Sequence, residues 1–156
     1  MESTMTPSQF FQVAEIDLIY KSKVKASLRP KIAKSEDAYK VFLKIWDPNK
    51  LDFVEHFKVL FLNRANAVLA CFQVSTGGIT GTVADPRLIF TAALKVNAVS
   101  LILAHNHPSG NLFPSTADQE LTLKIKEAGK FLEIKLLDHV ILNSEGYYSF
   151  ADEGLL

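Results

Sequence analysis

The alternation of apolar and polar positions divides the chain into a mixed succession of strands and helices. Residues 1 to about 10 are polar and read as a frayed start. "VAEIDLIY" then alternates in part and predicts a first strand. "SEDAYKVFLKIWDPNK" has helical periodicity, with Ala38, Val41, Phe42, Ile45 and Trp46 on one face. Ser35 is positioned as its N-cap, acids fill the first turn, and Pro48 ends the pattern. "EHFKVLFLNRANAVLACFQVST" reads as a hairpin of two apolar runs around the turn-prone "NRAN", and "GGITGT" as a flexible loop. "DPRLIFTAALKVN" predicts a helix capped by Asp85 with Pro86 in its first position. "AVSLILAH" is unbroken and apolar, as in a strand buried on both faces. "STADQELTLKIKEAGKFL" is an amphipathic helix with Leu121, Ile125 and Ala128 on one face and Gly129 near its end. "EIKLLDHVILN" and "GYYSF" form a closing hairpin across "SEG". There is no internal repeat. This order predicts an α/β domain whose mixed sheet is covered by helices.

Composition narrows the class. The 156 residues suit one domain, and 48% hydrophobic content supplies an ordinary core. Residues 1–34 read as an extension and 35–156 as the domain proper. Seventeen basic residues balance seventeen acidic ones, so net charge gives no argument for nucleic acid or an anionic membrane. Within the extension, "KSKVKASLRPKIAK" holds six basic residues and no acid. It reads as a solvated edge strand blunted by lysines rather than a nucleic-acid patch. The single cysteine, Cys71, permits no intramolecular disulfide, and its apolar setting in "AVLACFQV" predicts a buried, inert thiol. No apolar run approaches the ~20 residues of a membrane span. The N-terminus lacks the basic-then-apolar order of a secretory signal. The expectation is a cytoplasmic protein with no membrane partner.

Chemistry concentrates in "LAHNHPSGNLFPSTAD", residues 103–118. Side chains two apart on a strand point the same way, so His105 and His107 project together from the end of the buried run. Two imidazoles side by side suit zinc, and a catalytic zinc needs a third protein ligand and an open position. Asp118, in the first turn of the next helix, can supply that carboxylate. The same set matches the two-histidine, one-carboxylate triad of non-haem iron, so the metal stays open between the two. Ser115 and Asp118 also fit a capping box, a purely structural role. Other chemistries are set aside: the chain has no HExxH, CxxC or GxSxG, and "STGGITGT" lacks the P-loop lysine. His139, inside a strand, reads as packed or supporting rather than as a fourth ligand. His56 reads as facing solvent.

The spacing of two histidines one residue apart, then serine, then aspartate is similar to the JAMM metalloprotease motif of JAB/MPN domains. With "LLDHVIL" and "YYSFADEGLL", the stretch closely resembles the RadC family over about residues 36 to 156. The resemblance implies an α/β/α sandwich with a mixed, curved sheet, related to the deaminase-like folds. It implies His105, His107 and Asp118 as ligands of one zinc, and Ser115 as a donor to the tetrahedral oxyanion. The motif also requires an upstream glutamate. Glu55 fits that place, at the start of the hairpin's first strand, and Glu36 is the weaker rival. The implied activity is hydrolysis of a peptide, isopeptide or other amide by a metal-activated water. The alternatives are a catalytically silent metal-binding scaffold or a DNA-repair accessory. Longer members carry a helix-hairpin-helix-like region before this domain. Only about 35 residues precede the first predicted helix here, which weakens any expected DNA contact. "PRLIFTAALKVN" departs from the "PREV" form of the family at the pocket wall. A homodimer is compatible with the sequence.

Overall fold

Two strands with almost no exposed residue form the middle of the sheet, and the other elements cover or flank them. The computed structural model describes residues 14, 19–77 and 83–156. The expected frayed start, most of the expected first strand and most of "GGITGT" lie outside the described residues. The elements are α1 (Ser35–Ile45), α2 (Pro48–Leu51), β1 (His56–Leu62), β2 (Val68–Thr76), α3 (Pro86–Lys95), β3 (Ser100–Asn106), α4 (Thr116–Phe131), β4 (Lys135–Leu142) and β5 (Tyr147–Ser149). They build a five-stranded sheet in the order β2-β1-β3-β4-β5. Only the β3–β4 pair is parallel, and α4 makes that crossover; the other neighbours are antiparallel.

Alternation along β1 and β3 sends side chains to two cores. Phe57, Val59, Phe61, Leu101 and Leu103 pack against Ile89, Phe90 and Ala93 of α3 and Ile125 of α4. Leu60, Leu62, Ile102 and Ala104 pack on the other face against Ala38 and Phe42 of α1 and Trp46. The layers are therefore helix, mixed sheet, helix. Each fully buried Phe or Leu contributes ~1.5–3 kcal/mol relative to exposure, which is what holds the layers together.

One irregularity matters for the site. Leu101 pairs with Leu136, but Ile102 pairs with Asp138, so Leu137 is an extra residue in β4. Such a bulge reverses the inward and outward phase of everything after it. It turns His139 onto the same face as Leu136, towards α4.

Several expectations are corrected. Pro48 does not simply end α1: Asp47 caps it and it opens the short α2. Lys34, not Ser35, is the N-cap of α1, with the Asp37 carboxylate accepting its backbone N–H. Ile45 is exposed rather than on the packed face. The basic segment 21–34 is not a strand. It is irregular apart from one 3-10 turn (Ala26–Leu28) and a single bridge between Lys31 and Ala67. Cys71 is exposed, and among the described residues β2 is the edge strand of the sheet. Loss of water around its sulfur nonetheless pushes the thiol up to about 11, so it stays protonated at neutral pH. Among the described residues, no helix is long and apolar enough to cross a membrane.

The end of α4 lies tightly against the chain entering β4. A Cβ on Gly129 would sit 2.3 Å from the Ile134 carbonyl oxygen. Helix propensity alone favours alanine by ~1 kcal/mol, but this contact is with backbone, which cannot swing away. Gly129→Ala is expected to lower stability by about 1–3 kcal/mol in urea unfolding; an unchanged or raised midpoint would refute the close approach.

Candidate metal centre

The site begins where β3 leaves the core. Leu101, Leu103 and His105 are alternate residues on the α4 face, so the last inward position of a hydrophobic strand is a histidine. His105 is fully buried and stacks on its cross-strand partner Phe57, with ring centroids 5.8 Å apart and planes 5° apart. His107 extends the ladder by one residue, its backbone N–H donating to the Leu142 carbonyl at 3.3 Å. A tight turn follows. Gly110 adopts φ 85°, in the left-handed region that glycine enters without cost, and its N–H returns to the His107 carbonyl at 3.0 Å. The turn brings the Asn111 carbonyl to His107 Nδ1 at 2.5 Å. A carbonyl only accepts, so Nδ1 carries the hydrogen and the lone pair of His107 is on Nε2.

Asp118 reaches the same point from α4. Ser115 is the N-cap: its hydroxyl accepts from the Asp118 N–H at 3.1 Å, while Asp118 Oδ2 accepts from the Ser115 N–H and hydroxyl, each at 2.7 Å. The capping box is real, and it leaves the other oxygen available. Oδ1 lies 3.2 Å from His105 Nε2, and His107 Nε2 is 3.8 Å from Oδ2. The two Nε2 atoms are 3.0 Å apart. One ligand atom from each of His105, His107 and Asp118 falls within 4.8 Å of the others, so the three could hold a metal ion. His105 forms the floor, and His107 and Asp118, at 17% and 15% side-chain exposure, form a rim open to solvent. Burial alone would raise the Asp118 carboxyl. The hydrogen bond and charge of His105, with the bonds from Ser115, outweigh it and hold the group well below the usual carboxylate range.

Comparison with known proteins fits this geometry. The family described as RadC-like JAB domain matches residues 32–155. The chain belongs to this RadC-like JAB family. A UPF0758 protein of Flavobacterium johnsoniae is 46% identical over 144 residues, covering 92% of this chain and 62% of that protein. One from Chlorobaculum parvum is 47% identical over 102 residues, covering 65% and 46%. A third, from Chlorobium phaeovibrioides, is 36% identical over 156 residues, covering 99% and 68%. The chain thus spans between about half and two thirds of the length of these relatives.

The remaining candidate residues divide clearly. Glu55 immediately precedes β1. It stands two residues before Phe57, the cross-strand partner of His105. Glu36 is on α1, which packs on the opposite face. It is paired there with Lys34 and Lys40, whose hydrogen bonds bring its carboxyl down to about 2. His56 does not face solvent. It is buried and stacked on Trp46 at 6.4 Å, and loss of water lowers its imidazole pKa. His139 is fully buried between Phe150, stacked at 4.8 Å, and Phe57, tilted at 5.6 Å. It is no fourth ligand, because its Nε2 is engaged by His105 Nδ1 at 2.8 Å. Desolvation first, and the neighbouring His105 second, keep His139 neutral. A separate cleft of about 380 Å³, lined by Lys34, Ser35, Asp138 and Asp152 among others, lies on the other side of the sheet.

Sequence reasoning missed Asn106. It stands between the two histidines, so strand alternation turns it to the opposite face. Its side chain donates to the Leu51 and Val54 carbonyls at 2.6 and 2.8 Å and accepts from the His56 N–H at 2.7 Å. One buried amide thus ties the segment carrying Glu55 to the strand carrying the histidines. Asn106→Ala strands three buried backbone groups, and is expected to cost on the order of 3 kcal/mol in chemical denaturation. A cost below about 1 kcal/mol would show that water replaces the amide there.

Proposed function

We propose that the chain is a zinc-dependent hydrolase of amide bonds, of the peptidase or isopeptidase type. His105, His107 and Asp118 hold one metal ion, Glu55 is the general base, and Ser115 is a donor to the oxyanion. The observation that carries this reading is the meeting of three ligand atoms at a solvent-open strand end, with the His107 hydrogen drawn away by the Asn111 carbonyl. Zinc bonds of ~2.0–2.1 Å in tetrahedral arrangement set ligand atoms roughly 3.3 Å apart. The separations of 3.0 and 3.2 Å about His105 Nε2 are close to that spacing. The donor set also suits ferrous iron, and metal content separates the two.

When bound, the ion supplies Lewis acidity and brings the pKa of water towards ~7. Glu55 takes the proton from the attacking water and returns it to the leaving amine nitrogen. The Ser115 hydroxyl turns its hydrogen from Asp118 Oδ2 to the carbonyl oxygen as charge builds there. Asp118 keeps its orientation during that turn because the Ser115 N–H still donates to it. The substrate is a peptide or amide small enough to approach the rim.

One observation favours a second reading, a metal-stabilised scaffold without turnover. The Ser115 hydrogen is directed at Asp118 rather than outward.

Metal content by mass spectrometry is expected to give about one zinc per chain, lost in His105→Ala and Asp118→Ala while circular dichroism shows both folded. Absence of metal in the wild type after zinc is offered would overturn the reading. Against a library of peptides and isopeptides, Glu55→Gln is expected to keep its zinc and lose ~10²–10⁴-fold in rate. Zinc uptake with no hydrolysis of any library member would favour the scaffold.

A further inference from the structure

We propose that Thr122 and His139 are positioning residues that keep a hydrogen on His105 Nδ1, so that Nε2 is the nitrogen His105 turns to Asp118 and His107. The inference rests on the metal-binding reading for its purpose, but not for its evidence.

The evidence is a chain of hydrogen bonds whose directions follow from its first member. Thr122 is on α4, one turn after Asp118, and its Oγ1 lies 2.5 Å from the Asp118 backbone carbonyl. That oxygen cannot donate, so the single hydroxyl hydrogen of Thr122 lies between them. Thr122 Oγ1 is also 2.6 Å from His139 Nδ1. With its own hydrogen committed, Thr122 accepts there, and His139 carries hydrogen on Nδ1. A neutral imidazole has one hydrogen, so His139 Nε2 is an acceptor. The atom facing it, at 2.8 Å, is His105 Nδ1, which therefore donates. Nε2 is the nitrogen of His105 outside the relay, and it faces Asp118 Oδ1 at 3.2 Å and His107 Nε2 at 3.0 Å.

Burial gives the chain its force. His105 and His139 are both 0% exposed and Thr122 is 2% exposed. The rings of Phe57 and Phe150 cover His139. Water cannot substitute for a missing partner, so reversing one hydrogen leaves a buried donor facing a donor, or an acceptor facing an acceptor. Packing alone would ask only for a ring of this size at position 139. The observed order of donors asks for a nitrogen acceptor towards His105 and a hydroxyl behind it. The relay also closes on itself: it starts at the Asp118 carbonyl and ends at the Asp118 carboxylate.

The test reads tautomers in the metal-free protein by long-range ¹H–¹⁵N NMR of the imidazoles. The wild type is expected to show His105 and His139 both protonated at Nδ1. Thr122→Val keeps the shape and removes the acceptor behind His139. It is expected to take the hydrogen off His105 Nδ1, wholly or in part, and to weaken zinc binding about 10–100-fold in competition with a chromophoric chelator. Thr122→Ser, which restores the hydroxyl, is expected to bind zinc within about twofold of the wild type. A wild-type His105 with no hydrogen on Nδ1 would overturn the proposal even if no variant folds. So would a folded Thr122→Val with wild-type tautomers and zinc affinity. Because the NMR is done without metal, a wild type with the expected tautomers but no zinc uptake would sink the metal reading and leave the relay standing.

Discussion

The centre depends on one register, that of β1 against β3. Both strands are buried on both faces, and Phe57 lies directly across from His105. A slip of one residue would send every side chain of one strand to the wrong core. The opposed hydrophobic faces therefore forbid it. With that pairing in place, His105 meets Asp118 of α4 and Asn106 meets the segment that carries Glu55. The Asn106 amide, buried and fully bonded, fastens the register at the end where the chemistry is. The core supplies the energy for this order, and the site stands at its edge.

The second dependence is the double use of Asp118. A capping box and a ligand set might be expected to compete for one carboxylate. Here they share it: Oδ2 closes the first turn of α4, and Oδ1 faces the histidines. The cap orients the ligand, since a carboxylate fixed by two hydrogen bonds has lost most of its rotamer freedom before any ion arrives. Aspartate reaches back to its cap well enough, with the Ser115 N–H at 2.7 Å. The same helix supplies Thr122 one turn later, so α4 touches the centre directly through one residue and through His139 with the other.

Much of this was legible in the chain. Periodicity marked the hairpin of β1 and β2, helices α3 and α4, the buried run of β3 and the closing β4–β5 pair. The parity of His105 and His107, and the four-residue motif "STAD", indicated the cluster. The misreadings have a common cause. Ile45, His56, Cys71 and the basic segment 21–34 were judged by local pattern, yet their exposure depends on what lies across from them. Among the described residues Ile45 is left exposed, Trp46 covers His56, and Cys71 sits on the edge strand of the sheet. Asn106 and Thr122 did carry signals, in strand parity and in the one-turn spacing from Asp118. Those signals became meaningful only with the facing groups in view.

The sequence by itself determined the elements, the two apolar faces of the central strands and the residue types at the centre, because those follow from short-range periodicity and capping chemistry. Only the tertiary structure decided the hydrogen-bond directions and the company each polar group keeps. The bulge at Leu137 turned His139 inward. The pairing of distant strands brought His139 to His105. These outcomes depend on contacts between residues tens of positions apart, for which one-dimensional pattern has no term.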